Sequence, residues 1–241
     1  MPTPESLGNN DSSGGATCTI FGYLAGDKIA SGGTDNTLIG KQAGNQTTYG
    51  ITTGDYNTAV GSKALGASAG AHITGSDNTA IGYNAMLEAQ GAVANNVAVG
   101  SNALLDITTG SQNVALGYRT LPNITSGDFN IGIGIDALFT ETISNGSIAV
   151  GVGALYTQAI GSDAYSYNTA VGFQSGYTNS TGTGNTWLGY QAGYGGTGNN
   201  SNNVGLGYNA LLSVTTGSSN TAVGSFAGDA ITSTTNCTLV G

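Results

Sequence analysis

Residues able to do acid–base, nucleophilic or metal chemistry are few and scattered. The 241 residues contain one histidine, His72, and two cysteines, Cys18 and Cys237. Two cysteines so far apart make no zinc motif, and one histidine cannot support a nucleophile–base–acid set. Asp35, Asp55, Asp77, Asp128 and Asp163 lie in turns and could offer carboxylates to Ca²⁺, but Asx-turns explain them without metal. The G-x-G pieces at Gly132–Gly134 and Gly151–Gly153 precede no helix, so they do not read as a phosphate fingerprint. The sequons at Asn45 and Asn123 are expected by chance in a chain so rich in Asn and Thr. The sequence therefore predicts no enzyme, no metal and no cofactor.

What does recur is a nine-residue phrase, N-[TVI]-A-[VIL]-G-x-x-A-[LG]. It begins at Cys18, Asn36, Asn57, Asn78, Asn96, Asn113, Asn130, Ser147, Asn168, Asn185, Asn203, Asn220 and Cys237, with steps of 17, 18 or 21 residues. The second position is always β-branched and the fourth always large and apolar, whereas the third is usually small. Positions two and four thus share one face of a short strand, and three and five the other. The fifth position is glycine in every copy, among them Gly61, Gly82, Gly100 and Gly117. A backbone constraint met thirteen times implies a positive φ, or a neighbour too close for a Cβ. Asn in ten of the thirteen first positions, Asn57, Asn78, Asn96 and Asn113 included, suggests an amide ladder in which each side chain bonds the coils above and below.

A step of this length is too short for two helices and their loops. It fits one coil of a parallel β-solenoid, with two short strands and two turns. The fold expected is all-β, about 13 coils of 17–21 residues, and twelve strand spacings would make a rod of roughly 58 Å. Residues 1–17 are polar and carry Pro2 and Pro4, so they read as a flexible or partner-ordered tail; residues 18–241 form the repeat domain. Four-residue additions fall within Asn45–Tyr56, Gly66–Asp77 and Tyr156–Tyr167 and predict bulges on one side, either a binding face or neutral loops.

Composition narrows the partners. A net charge of −9 with four basic residues argues against nucleic acid and against anionic membrane surfaces. No apolar run is long enough to span a membrane as a helix, and Met1 to Gly15 has no signal-peptide character. The sixth position is often aromatic, as in Tyr83, Tyr118, Tyr190 and Tyr208. Such a column either stacks on sugar rings or packs with its hydroxyls reaching water. The last copy stops at its fifth position, and both cysteines hold first positions. Copies stacked end to end would bring Cys237 of one chain over Cys18 of the next, ~4.8 Å apart and within disulfide range.

The copies at 57–65, 78–86, 96–104 and 168–176 resemble the S-V-A-I-G-x-x-A repeats in the YadA-like heads of trimeric autotransporter adhesins. They are equally similar to the N-T-A-x-G-Y-x-A-L repeats of phage tail-fibre proteins. The resemblance spans residues 18–241. It implies a left-handed parallel β-roll, three chains side by side, and an extended adhesive or structural fibre on a virion or an extracellular surface. Its partners would be other copies of itself and a host-surface glycan or protein. Three other readings stand beside it: a filament polymerised end to end, a glycan-binding module using the tyrosines and the additions, and an ice-binding solenoid. The alternation of the Thr column suggests that it faces inward, which weighs against the last.

Overall fold

The computed structural model describes residues 17–27, 29, 33–45, 51, 53–66, 72–195 and 198–241. The expected tail, residues 1–17, lies outside these but for Thr17, as do parts of the first two additions. The chain divides into two compact units, Met1–Tyr118 and Arg119–Gly241.

In the first unit, six three-residue strands pair parallel in chain order: β1 (Thr19–Phe21), β2 (Thr37–Ile39), β3 (Thr58–Val60), β4 (Thr79–Ile81), β5 (Val97–Val99) and β6 (Val114–Leu116). The second holds β7 (Ile131–Ile133), β8 (Ile148–Val150), β9 (Thr169–Val171), β10 (Thr186–Leu188), β11 (Val204–Leu206), β12 (Thr221–Val223) and β13 (Thr238–Val240), paired in the same way. Register is that of the repeat: Thr58 pairs with Thr79, Ala59 with Ala80 and Val60 with Ile81. Each unit is a parallel β-solenoid, as the repeat predicts. No helix of the described residues is long and apolar enough to cross a membrane.

Each coil carries one strand, not two. The return path is built of turns, because the chain passes repeatedly through the left-handed region. Counting the Asn column as position one, residues at positions seven and nine have positive φ, as at Lys63 (59°), Leu65 (47°), Asn102 (57°) and Leu104 (48°). So does the residue just before the Asn, as at Asp77 (61°) and Asn95 (59°). Side chains seldom adopt this conformation, and no strand survives it. Hydrogen bonds to the adjacent coils hold it in place. The amide of Asn102 donates to the carbonyl of Tyr83 (2.9 Å), and that of Leu65 to the carbonyl of Ala85 (2.9 Å).

The alternation within the strands runs opposite to the expectation for the Thr column. Position three points into the coil and is buried from β2 through β12, while positions two and four point outward. The interior is so narrow that only a small residue fits there by default. Ala59, Ala98 and Ala115 face the leucines of position nine, Leu65, Leu104 and Leu121, all fully buried. Where position three is large, position nine is glycine: Leu38 with Gly44, and Trp187 with Gly193. A Cβ on Gly44 would stand 2.6 Å from the Leu38 side chain. In these coils the two columns trade volume, and at Gly176, opposite Ala170, the Trp187 ring of the next coil takes the space.

Of the four-residue additions, the first two turn an isoleucine inward: Ile51 and Ile73 are fully buried and bridge to each other. The third, in the second unit, makes one isolated bridge between Asn145 and Tyr165.

Candidate functional site

The Asn column is an interior ladder. Asn57, Asn78, Asn96 and Asn113 are fully buried. The Oδ1 of Asn78 accepts from both the backbone N–H (3.1 Å) and the Nδ2 (3.2 Å) of Asn96, and Asn96 Nδ2 also donates to the carbonyl of Gly110 (3.0 Å). One amide thus ties a strand end to the coil on either side and satisfies a turn carbonyl. In the glycine column both reasons for glycine hold together. Gly100 has φ 138°, and a Cβ there would lie 2.2 Å from the carbonyl oxygen of Gly117; Gly61, Gly82 and Gly117 have φ of 137°, 133° and 138°.

At Ser147 the ladder changes partners. Asn130 Oδ1 still accepts from the Ser147 amide (2.9 Å), but serine has no carboxamide to pass on. Gln158 stands in, its Oε1 accepting from Asn168 Nδ2 (2.9 Å) and its Nε2 donating to Ser147 Oγ (2.5 Å). The same Nε2 donates to Glu141 Oε2 (2.9 Å), and Glu141 Oε1 accepts from the amides of Thr142 (2.9 Å) and Ser144 (3.0 Å). Glu141, Gln158 and Asn179 follow one another in a column whose other members include Ile107, Ile124, Val214 and Ile231. Glu141, Gln158 and Asn179 are fully buried. A buried carboxylate is tolerated only with its lone pairs filled, and here three N–H groups fill them.

The outer strand face is apolar. Position four presents Phe21, Ile39, Ile81, Leu188 and Leu206, with Phe21 51% exposed and Leu188 45%. Position six adds the aromatic column. Phe173, Tyr190 and Tyr208 stack on one another with ring centroids 5.4 and 5.0 Å apart and planes within 8°. Their faces are turned to each other, so Tyr190 and Tyr208 offer edges and hydroxyls to a ligand. Tyr83 stands between Ser62 and Ser101 in the same column of the first unit, and both Tyr83 and Tyr118 are exposed.

A second aromatic column, at position ten, escaped the sequence reading although it keeps the coil spacing. Phe139, Tyr156, Tyr177 and Tyr194 stack at 4.9, 4.9 and 5.3 Å. Arg119 closes it, with its guanidinium 5.0 Å from the Phe139 ring centre and paired through two bonds (2.8 and 2.9 Å) to Asp136. Burial, and then the neighbouring Tyr156, Tyr194 and Asp136, raise the Tyr177 phenol above its ordinary value. In the first unit Glu88 and Asp106 occupy equivalent places on adjacent coils. Burial, and then the Glu88 charge, hold Asp106 above the usual aspartate range.

The residues of ordinary chemistry do not converge. His72 is exposed. Cys18 and Cys237 are free thiols, the first buried and bonded to the carbonyl of Gly33 (3.6 Å), the second partly exposed. Among the described residues no three of His, Cys, Asp and Glu are grouped to hold a metal ion. The site of interest is therefore the outside of the coil: a flat apolar strand face and the aromatic columns beside it. Comparison with protein-family models, curated proteins and solved structures finds no match for this chain.

Proposed function

We propose that this chain is a non-enzymatic structural or adhesive fibre module, a shaft that associates side by side with two further copies of itself. The observation that carries this is the outer strand face. Thr, Val and Ile at position two and Val, Ile, Leu and Phe at position four project outward in register, coil after coil. A soluble monomer rarely leaves so continuous an apolar surface in water, and a lateral partner with the same repeat would match it strand for strand. The resemblance to adhesin heads and phage tail fibres adds the number three and the setting on a virion or cell surface. A host-surface glycan or protein would be the outer partner.

Light-scattering mass of the intact protein tests the reading. Three chains are expected, and the double variant Leu188→Lys, Leu206→Lys should fall to one chain with an unchanged far-UV spectrum. A wild-type monomer at every concentration would overturn the proposal. A polydisperse species shortened by reductant would favour end-to-end growth through Cys18 and Cys237 instead.

A further inference from the structure

Apart from the two aromatic columns, the second unit carries a third aromatic group, built around its four-residue addition. The residue before the Asn column is Phe129 in one coil, Gly146 in the next, Tyr167 in the third and Gly184 in the fourth. Gly146 leaves a gap, and the addition fills it: Tyr165 lays its ring there, with Cδ1 3.0 Å from where a Gly146 Cβ would be. The result is a stack of Phe129, Tyr165 and Tyr167, with centroids 6.5 and 5.2 Å apart. Its exposure is high, 46%, 47% and 66% in that order.

The stack ends at Gly184. The Gly184 amide donates to the carbonyl of Ser166 (2.8 Å), and the Asn202 amide to the carbonyl of Thr183 (2.9 Å). Tyr167, Gly184 and Asn202 are thus held on three successive coils. The backbones of Tyr167 and Asn202 are two strand spacings apart, about 9.6 Å, and Gly184 between them carries no side chain. Asn202 leans into the space, its Oδ1 2.6 Å from where a Gly184 Cβ would stand. The Asn202 carboxamide thus lies over Gly184, and the notch beside Tyr167 has an aromatic face for its wall and an exposed carboxamide for its floor.

The addition that supplies Tyr165 is pinned. Asn145 Nδ2 donates to Asp163 Oδ1 (2.8 Å) and Asn145 Oδ1 accepts from the Asp128 amide (2.6 Å). The Asp163 carboxylate therefore lies beside the platform.

We propose that this notch binds a neutral glycan, a pyranose laying its C–H face on the ring of Tyr167 and hydrogen-bonding its hydroxyls to the Asn202 carboxamide. An aromatic wall beside a few fixed polar groups is the ordinary make-up of a small-ligand site. The Asp163 carboxylate and the net charge of −9 disfavour anionic sugars. A proline-rich peptide would stack equally well on the ring, but its prolines have no donor for the Asn202 oxygen. This site is separate from the lateral association above and does not depend on it.

The experiment is saturation-transfer NMR on the full chain with a panel of neutral oligosaccharides (maltohexaose, cellohexaose, chitohexaose and a mannohexaose), followed by calorimetry on the best. Two variants attack the notch. Tyr167→Ala removes the wall. Gly184→Asn pushes the Asn202 carboxamide off the floor, using the residue that this column already carries at Asn95 and Asn202 in the same positive-φ conformation, so the coil should still fold. Each should weaken binding about tenfold or more. Tyr190→Ala, in the column whose ring faces are already covered, should leave it unchanged. No binding to any sugar of the panel overturns the proposal, as does binding to a decaproline peptide instead. Loss that follows Tyr190→Ala and spares Gly184→Asn moves the site to the other column. Because mass is measured on the same samples, a monomer that binds sugar defeats the lateral reading while leaving this one standing.

Discussion

The indole of Trp187 occupies the space that a side chain on Gly193 would need: a Cβ built there stands 2.3 Å from the Cδ2 atom. Gly176 and Gly205 border the same ring at 2.7 and 2.9 Å by the same measure. Other coils put alanine at the tryptophan's place and leucine at the glycine's, as Ala98 and Leu104 do, both fully buried. Gly193→Leu alone should overfill the coil and cost about 3 kcal/mol, and Trp187→Ala alone should leave a cavity and cost about 3–5 kcal/mol. The double variant should recover most of either loss, because it rebuilds the pairing used elsewhere. Denaturant melts of the three proteins check this, and a double variant no better than the worse single would mean that the columns do not trade volume.

The Asn ladder and the glycine column should fail in different ways. Asn96→Ala removes an acceptor and two donations in the interior, and orphaned polar groups cost about 1–3 kcal/mol. Gly100→Ala forces a Cβ to within 2.2 Å of a backbone oxygen at φ 138°, so its coil must move. Hydrogen exchange should show loss of protection confined to the coils next to position 96 in the first variant. In the second, protection should fall across the whole first unit.

Asp106 supplies a pH test. Its folded value is raised, first by burial and then by Glu88, so the folded chain holds this proton more tightly than the unfolded chain. The group therefore adds stability as pH falls through the interval above the ordinary aspartate value, and withdraws it as pH rises through that interval. Glu88→Gln removes the second cause. An NMR titration of Asp106 should find the midpoint moved down yet still above the ordinary value, since burial remains. A midpoint that stays put would mean that Asp106 does not feel its neighbour.

The repeat was legible because thirteen copies of one phrase leave little freedom: strand positions, parallel register and the interior amides follow from columns alone. The side that faces in was harder. Branched apolar residues such as Val97 and Ile131 usually seek the core, but this core is closed by turns and admits only alanine or glycine opposite leucine. Those turns depend on positive φ at ordinary residues such as Lys63 and Leu65, which no side-chain type announces. Glu141 was invisible for the opposite reason. A lone glutamate reads as surface, and only the replacement of asparagine by Ser147 hinted that the interior there needed another set of polar partners. The stack of Phe139, Tyr156, Tyr177 and Tyr194 could have been found by extending the alignment one residue past the nine-residue phrase.

The inward turn of position three has a consequence for how such a chain can diverge. Folding reads positions one, three, five, eight and nine of each copy; at positions two and four it asks only for a branched or large apolar residue, and position six it scarcely reads. A lineage can therefore rewrite the outward positions one at a time, exchanging Thr for Val or Tyr for Ser, without disturbing the scaffold beneath. Of these outward positions the copies already differ most at position six, where Tyr23, Lys41, Ser62, Tyr118, Ile135 and Phe173 all occur. The molecule is in this sense a ruled page, with lines fixed by the backbone and text left to selection.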